Sequence, residues 1–302
     1  MVPVQKRSGG RRPVLNLKRL NKYLSPRKFR LISYQKIPQF IQRNDFLAKL
    51  DLNQAYFHVP IKQSHRRFLS LVYNQRVYQM TCLPFGLATA PLTFARISNW
   101  MASYLRSQGL RIVVYLNDFL LAHQDRSCLR VNVATAISFM QNLGWVINFE
   151  KSVLEPVPVC EFLGLRWDTI GDRVSLPHQK IQSLEKDLRQ ILMTQRWNWK
   201  GAKRVLGKMN FAEYAIPLGR LNSRAMQRAA RSLPQRNPSR KRTVPAAALE
   251  EVRWWLRNLG QASPILPRNP ENFLTADASD KGWGAQVGDH FLEGRWSGHQ
   301  KS

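Results

Sequence analysis

The sequence has 302 residues, 44% of them apolar, and carries 47 lysines and arginines against 19 aspartates and glutamates, a formal charge of +28. That length exceeds what one hydrophobic core usually serves, so two or more domains are expected. The charge exceeds what solubility requires and is spread from Lys6 to Lys301, which points to a long phosphate-lined channel and a polyanionic partner. A merely basic, ribosomal-type protein would account for the charge but not for the acidic motifs below. Cys82, Cys128 and Cys160 are too few and too dispersed for a disulfide framework or a four-ligand zinc site, which implies a reducing intracellular setting, cytoplasm or nucleus. No apolar run is long enough to span a bilayer and the basic start is unlike a signal peptide, so a soluble protein without membrane association is expected. The opening residues enter motif-like sequence at once, and the natural protein is expected to begin further upstream.

In chain order, Lys6 to Leu17 reads as a basic hairpin with a Gly9-Gly10 turn and an alternating strand entered through Pro13. Phe46 to Leu52 is a buried strand reaching Asp51, followed by an extended or turn segment from Tyr56 to Ile61. Arg67 to Val77 forms a hairpin around Asn74-Gln75. Thr89 with Pro91 predicts a helix start, with the Thr89 hydroxyl as cap, running to about Leu105 on a stripe of Phe94, Ile97, Met101, Tyr104 and Leu105. Ile112 to Leu116 and Phe119 to Ala122 flank the polar pair Asn117-Asp118, the pattern of a tight hairpin between buried strands. A second amphipathic helix carries Leu129, Val133, Ile137, Met140 and Leu143 and stops at Gly144. Strands are expected at Trp145 to Asn148 and Phe162 to Trp167. The order describes an α+β domain with an antiparallel sheet and helices on one face.

Helical patterns dominate from Gln179, with Ile181, Leu184, Leu188, Ile191 and Leu192 on one stripe and a further helix from about Lys200. Arg224 to Pro245 is rich in Arg, Ser and Pro and reads as a basic linker, open to solvent or to nucleic acid. Ala246 to Leu259 is another helix, ended by Gly260. After Pro264, Pro267 and Pro270 the pattern turns to strands at Phe273 to Ala276, Gly284 to Val287 and Phe291 to Trp296, the opening of an incomplete domain.

Asp51 and Asp118 each end a strongly apolar strand, and a carboxylate there needs compensation. Taken singly, each reads as an exposed strand end or the partner of an arginine. Taken together, beside a hairpin tip, they fit a platform for divalent metal, since magnesium prefers hard oxygen ligands from one or two carboxylates plus phosphate oxygens.

The stretch Leu50-Asp51-Leu52-Asn53-Gln54-Ala55-Tyr56-Phe57-His58-Val59-Pro60-Ile61 resembles the first palm motif of retroelement reverse transcriptases. Leu83-Pro84-Phe85-Gly86-Leu87-Ala88-Thr89-Ala90-Pro91 is similar to their second motif, and Tyr115-Leu116-Asn117-Asp118 to their tyrosine-X-Asp-Asp catalytic hairpin. Leu143 to Asn148 with Glu150-Lys151-Ser152, and Glu161-Phe162-Leu163-Gly164, resemble the motifs that finish the palm and the primer grip. The wording is closest to DIRS-type retrotransposons, with long-terminal-repeat elements next.

This resemblance implies a right-hand polymerase of fingers, palm and thumb with an antiparallel palm sheet. Residues 1–170 would be fingers and palm, and residues 171–265 a helical thumb and connection containing the basic linker at about 224–245. The implied activity is RNA-directed DNA polymerisation with two magnesium ions, or manganese in their place, on Asp51 and Asp118. The implied partners are RNA template, DNA primer and product, and deoxynucleoside triphosphates. Tyr56 would collide with a 2′-hydroxyl and so select deoxynucleotides, or else be ordinary core. Lys6 and Arg12 would neutralise the triphosphate, and Phe85 with Gly86 would support the templating pair. Tyr115, Phe162, Leu163 and Gly164 would hold template and primer. The departure is Asn117, where the family has a metal-binding aspartate: a neutral carbonyl oxygen replaces an anion, so the fold should survive while activity falls steeply. A catalytically impaired remnant that still binds nucleic acid is therefore the competing reading.

Thr275-Ala276-Asp277-Ala278-Ser279-Asp280 with Gly282-Trp283-Gly284-Ala285 looks like the opening strand and turn of an RNase H domain over residues 271–302, truncated before further catalytic carboxylates. Asp277 would be its first metal ligand, or else a turn residue capping Ser279 or Lys281. Polymerase followed by RNase H argues against a viral RNA-dependent RNA polymerase.

Overall fold

The structure is a computed structural model and describes residues 2–5, 11–266 and 273–297. The chain divides into two compact units, residues 1–265 and 266–302. The first unit opens with the basic hairpin, β1 (Val2–Gln5) against β2 (Arg11–Val14), Pro3 facing Pro13. Its expected Gly9-Gly10 turn lies outside the described residues. A short helix α1 (Lys18–Asn21) follows, then β3 (Phe46–Asp51), a 3-10 turn at Ala55–His58 and the short helix α2 (Gln63–Arg66). The hairpin of β4 (Ser70–Tyr73) and β5 (Arg76–Gln79) turns at Asn74 and Gln75 with φ of 47° and 60°, the left-handed pair that a tight two-residue turn requires.

Helix α3 (Ala90–Ser107) starts where expected, but Thr89 makes no side-chain cap bond, because its own backbone is already helical at φ −88°, ψ −13°. Pro91 in the first turn remains as the start signal. The strands β6 (Ile112–Tyr115) and β7 (Asp118–His123) lead to α4 (Arg126–Asn142), capped by Asp125, which accepts from the Cys128 N–H at 2.7 Å. After Gly144, at φ 83°, the chain does not form the expected strand: Ile147 makes a single bridge to Leu52. The strand at this edge is β8 (Val153–Val157), hidden in the sequence by Pro156, which an edge strand tolerates. The expected strand from Phe162 to Trp167 is two, β9 (Val159–Phe162) and β10 (Leu165–Asp168), reversed at Leu163 and Gly164 with φ of 52° and 73°. β11 (Arg173–Ser175) pairs with β10.

The central sheet has the order β6-β7-β3-β8, each neighbouring pair antiparallel. Its middle strands are apolar apart from Lys49 and their charged or polar ends, and Leu47, Ala48, Leu50, Phe119, Leu120 and Leu121 are fully buried. The stripes of α3 and α4 supply Phe94, Met101, Leu105, Leu129 and Met140 to the core on the Ala48, Leu50, Phe119 and Leu121 face, which fixes the ends of β3 and β7 on a rigid base.

The helical part comprises α5 (His178–Thr194), β12 (Arg196–Trp197), α6 (Trp199–Ala212), α7 (Arg224–Arg231), β13 (Arg242–Thr243) and α8 (Ala246–Asn258). The basic segment from Arg224 is thus not a linker at its start. Met226 and Ala230 of α7 are buried, and both Glu251 carboxylate oxygens accept from the Ala225 and Met226 N–H groups at 2.8 Å. A carboxylate from a neighbouring helix caps α7 where its own sequence has none. Among the described residues no helix is long and apolar enough to cross a membrane.

The second unit is an antiparallel meander of β14 (Leu274–Ala278), β15 (Gly282–Val287) and β16 (His290–Arg295), within two residues of the expected strands. Phe273, Leu274, Phe291 and Leu292 are exposed.

Candidate active site

The register of β3 against β7 sets Asp51 directly opposite Asp118 at the end of the two most buried strands. The hairpin turns at Leu116 and Asn117, one residue earlier than its polar pair predicts. Leu116 takes the left-handed φ of 53°, and Asp118 is the first ladder residue, opposite Tyr115. Asn117 sits over Asp51: its backbone carbonyl accepts from the Leu52 N–H at 3.0 Å, and its side-chain Nδ2 donates to Asp51 Oδ2 at 2.9 Å. The Asp51 carbonyl accepts from the Asn148 N–H at 2.7 Å.

Two carboxylates in one half-buried place disfavour double ionisation. The Asp118 pKa is pushed up to about 7, first by burial, then by the hydrogen bond and negative charge of Asp51, with Lys49 and Lys151 pulling the other way. Both lysines are close enough to act on Asp118, and neither is a site residue in the sequence reading. Among the described residues no salt bridge reaches Asp51 or Asp118.

Asp118 opens onto a cleft of about 700 Å³ whose walls include Lys49, Tyr115, Phe162, Leu163 and Gly164. Four sequence-predicted residues from the hairpin and the β9–β10 turn therefore share one cavity with the carboxylate. Phe162 is core beneath that turn, and a Cβ on Gly164 would come within 2.2 Å of the Lys180 Nζ.

Tyr56 lies beside this site, half-buried, its ring 4.9 Å from Phe85 and 5.3 Å from Phe94. Its hydroxyl pKa is raised by burial and then by nearby Tyr115. Gly86 takes a φ of +102°, and any Cβ there would meet the Leu15 carbonyl oxygen at 2.7 Å, so the loop admits only glycine without strain. Asn21 pins the same loop, donating to the Gly86 carbonyl and accepting from the Ala88 N–H, both at 2.9 Å. That clamp spans 65 to 67 positions and left no local sequence signal.

Arg12 lies in β2, and Lys6 falls outside the described residues. Asp277 belongs to the second unit, exposed on β14, where its Oδ1 accepts from the Ala278 N–H at 2.8 Å. It caps neither Ser279 nor Lys281: the Ser279 hydroxyl accepts from the N–H groups of Lys281 and Gly282 instead. His123, Asp125 and Cys128 gather within 4.8 Å at the opposite end of β7, where Asp125 caps α4 and its N–H donates to His123 Nδ1.

The family model described as reverse transcriptase (RNA-dependent DNA polymerase) matches residues 4–167. Protein P of Duck hepatitis B virus (strain United States/DHBV-16) is 29% identical over 163 residues, 54% of this chain and 19% of the viral protein. The Transposon Tf2-3 polyprotein of Schizosaccharomyces pombe is 25% identical over 215 residues, 71% of this chain and 15% of the polyprotein. The chain thus spans under a fifth of the length of these curated relatives. Among solved structures, the foamy viral protease-reverse transcriptase in complex with double-stranded DNA superposes with a TM-score of 0.76 over 98% of this chain and 51% of that one, at 17% identity. The same enzyme in complex with an RNA/DNA hybrid gives 0.73, covering 99% of this chain and 40% of the other, at 16% identity. This likeness carries the fold: mixed helix and sheet around an antiparallel palm. With the family model matched over more than half its length, the chain belongs to the reverse transcriptase (RNA-dependent DNA polymerase) family.

Proposed function

We propose that the chain is the polymerase core of a retrotransposon enzyme, DIRS-like in its motifs, that copies an RNA template onto a DNA primer from deoxynucleoside triphosphates. The observation that carries this reading is Asp51 directly opposite Asp118, at the mouth of a cleft walled by Lys49, Tyr115 and the Leu163-Gly164 turn. The burial and the crowding against Asp51 that raise the Asp118 pKa are what a bound divalent cation would offset, so the donor set fits magnesium. Bound there, two magnesium ions, or manganese in their place, would activate the primer 3′-hydroxyl and stabilise the leaving pyrophosphate. Asp51 and Asp118 would hold them, with one carbonyl oxygen from Asn117.

The remaining roles follow the family resemblance. Tyr56, braced by Phe85 and Phe94, presents a ring that excludes a 2′-hydroxyl. Phe85 and the Gly86 loop support the templating pair, Tyr115 with Phe162, Leu163 and Gly164 hold template and primer, and Lys6 and Arg12 meet the triphosphate. Residues 1–170 act as fingers and palm and 171–265 as thumb and connection. Residues 271–302 are the start of an RNase H-like domain with Asp277 as its first metal ligand. The solved relatives carry double-stranded DNA and an RNA/DNA hybrid, which supports nucleic acid as the partner.

A second reading is favoured by one contact. Asn117 donates to Asp51 where the family has a third carboxylate, so the site is short of one negative charge and held together by an amide. On this reading the chain binds primer and template in the basic cleft without extending them. Magnesium-dependent primer extension on an RNA template decides between the two, with Asn117→Asp as the restored form and Asp51→Ala as the negative control. Efficient extension by the native chain rejects the impaired reading. Extension by Asn117→Asp alone, at least about a hundredfold above native, supports it. Failure of both rejects the polymerase reading for this chain.

A further inference from the structure

We infer that Ser152 is a positioning residue of the polymerase site: its hydroxyl accepts from the Asp51 backbone N–H at 3.0 Å while donating to the Asn148 carbonyl at 2.7 Å. The inference rests on the polymerase reading of Asp51.

The need for it comes from the sheet. On the edge facing β8, β3 pairs Leu47 with Val157 and Lys49 with Val153, with a register shift between them. Asp51 is the next β3 residue facing that edge, two beyond Lys49, and β8 begins only at Val153. The backbone of Asp51 therefore reaches past the strand, in a half-buried place where an unmade hydrogen bond is costly. The turn from Asn148 to Ser152 fills the gap. The Asn148 N–H donates to the Asp51 carbonyl at 2.7 Å, and the turn closes on itself through the Ser152 N–H to the Asn148 carbonyl at 3.1 Å. A hydroxyl is the small side-chain group that can accept and donate at once, so Ser152 serves the Asp51 N–H and the Asn148 carbonyl together.

The effect on chemistry is geometric. With both its backbone groups held, Asp51 cannot slide along or twist out of β3, and its carboxylate stays opposite Asp118. The same turn carries Lys151, whose charge acts on Asp118. Ser152 thus fixes one carboxylate of the pair and helps place a cation against the other.

The test has an arm that needs no activity. In the native chain, Ser152→Ala should speed amide hydrogen exchange at Asp51 about tenfold, the loss of one hydrogen bond, with Leu121 unchanged, and Ser152→Thr should restore the native rate. In the Asn117→Asp background, Ser152→Ala should raise the magnesium concentration for half-maximal primer extension about tenfold, with primer-template affinity unchanged and Ser152→Thr rescuing it. Unchanged exchange at Asp51 would overturn the inference. So would faster exchange at Asp51 and Leu121 alike, an unaltered magnesium requirement, or a threonine as damaging as alanine. If Asn117→Asp extends no primer, the polymerase reading fails, and the exchange rates still decide whether Ser152 holds Asp51.

Discussion

The two ends of the β3–β7 strand pair treat their carboxylates in opposite ways. At one end Asp45 is fully buried, and both its oxygens take guanidinium N–H groups of Arg111, at 2.9 and 2.8 Å. The Gln42 N–H adds a third bond at 2.7 Å, and the Asp45 carbonyl accepts from the Thr169 hydroxyl at 2.6 Å. At the other end Asp51 faces Asp118, with no salt bridge to either among the described residues and a neutral amide donating to Asp51. Like charges directly opposite in a sheet are destabilising. The Asp45 end is complete as it stands and holds the sheet together. The Asp51 end sets two carboxylates face to face, and the proposed metal site rests on that crowding.

The widest effect comes from breaking the complete end. Arg111→Met leaves Asp45 buried without its partner and should cost about 3–5 kcal/mol of folding stability, read from urea unfolding. Asp118→Asn at the opposite end removes one of two crowded charges and should cost nothing or stabilise slightly. If both substitutions destabilise equally, the two ends are alike and the contrast is wrong.

A smaller effect sharpens the contrast through pH. Asp118 titrates near 7 in the folded chain against 3.8 ordinarily, so the folded state holds its proton more tightly. Its contribution to stability is therefore fully present below about pH 4 and is lost as pH rises through about 7. In chelator, the native chain should lose on the order of 2–4 kcal/mol more than Asp118→Asn does over that interval. A pH dependence identical in the two chains would show that the fold does not hold the Asp118 proton more tightly than the unfolded chain.

Much of this was legible in the sequence because the relevant signals are local. The apolar run ending in Asp51, the period of α3, α4 and α5, and the Asn74-Gln75 turn each announce themselves within a dozen residues. What stayed hidden is what depends on distant partners or on backbone strain. Ser152 lies 101 positions from the N–H it serves, and Glu251 caps a helix 25 positions earlier, turning an expected linker into α7. β8 was masked by Pro156, whose missing N–H matters little on an outer strand. The turns at Leu116 and Leu163 put leucine where turn rules look for glycine or asparagine, so the first lies one residue before the tip its polar pair predicts and the second breaks what reads as one strand.

The finest test lies in the amide that donates to Asp51. Asn117 and aspartate have nearly the same shape, so Asn117→Asp changes charge and little else. In chelator the substitution removes the hydrogen bond to Asp51 and adds a third anion to a place already reluctant to hold two, which should cost about 1–2 kcal/mol. Magnesium should return that stability to the Asn117→Asp chain in proportion to its occupancy, and return less to the native chain, whose amide already does part of the cation's work. Thermal unfolding of both chains across a magnesium titration measures the difference. Equal gains in the two chains would mean that Asn117 stands outside the metal's reach, and the asymmetry between the ends of the sheet would then rest on Asp51 and Asp118 alone.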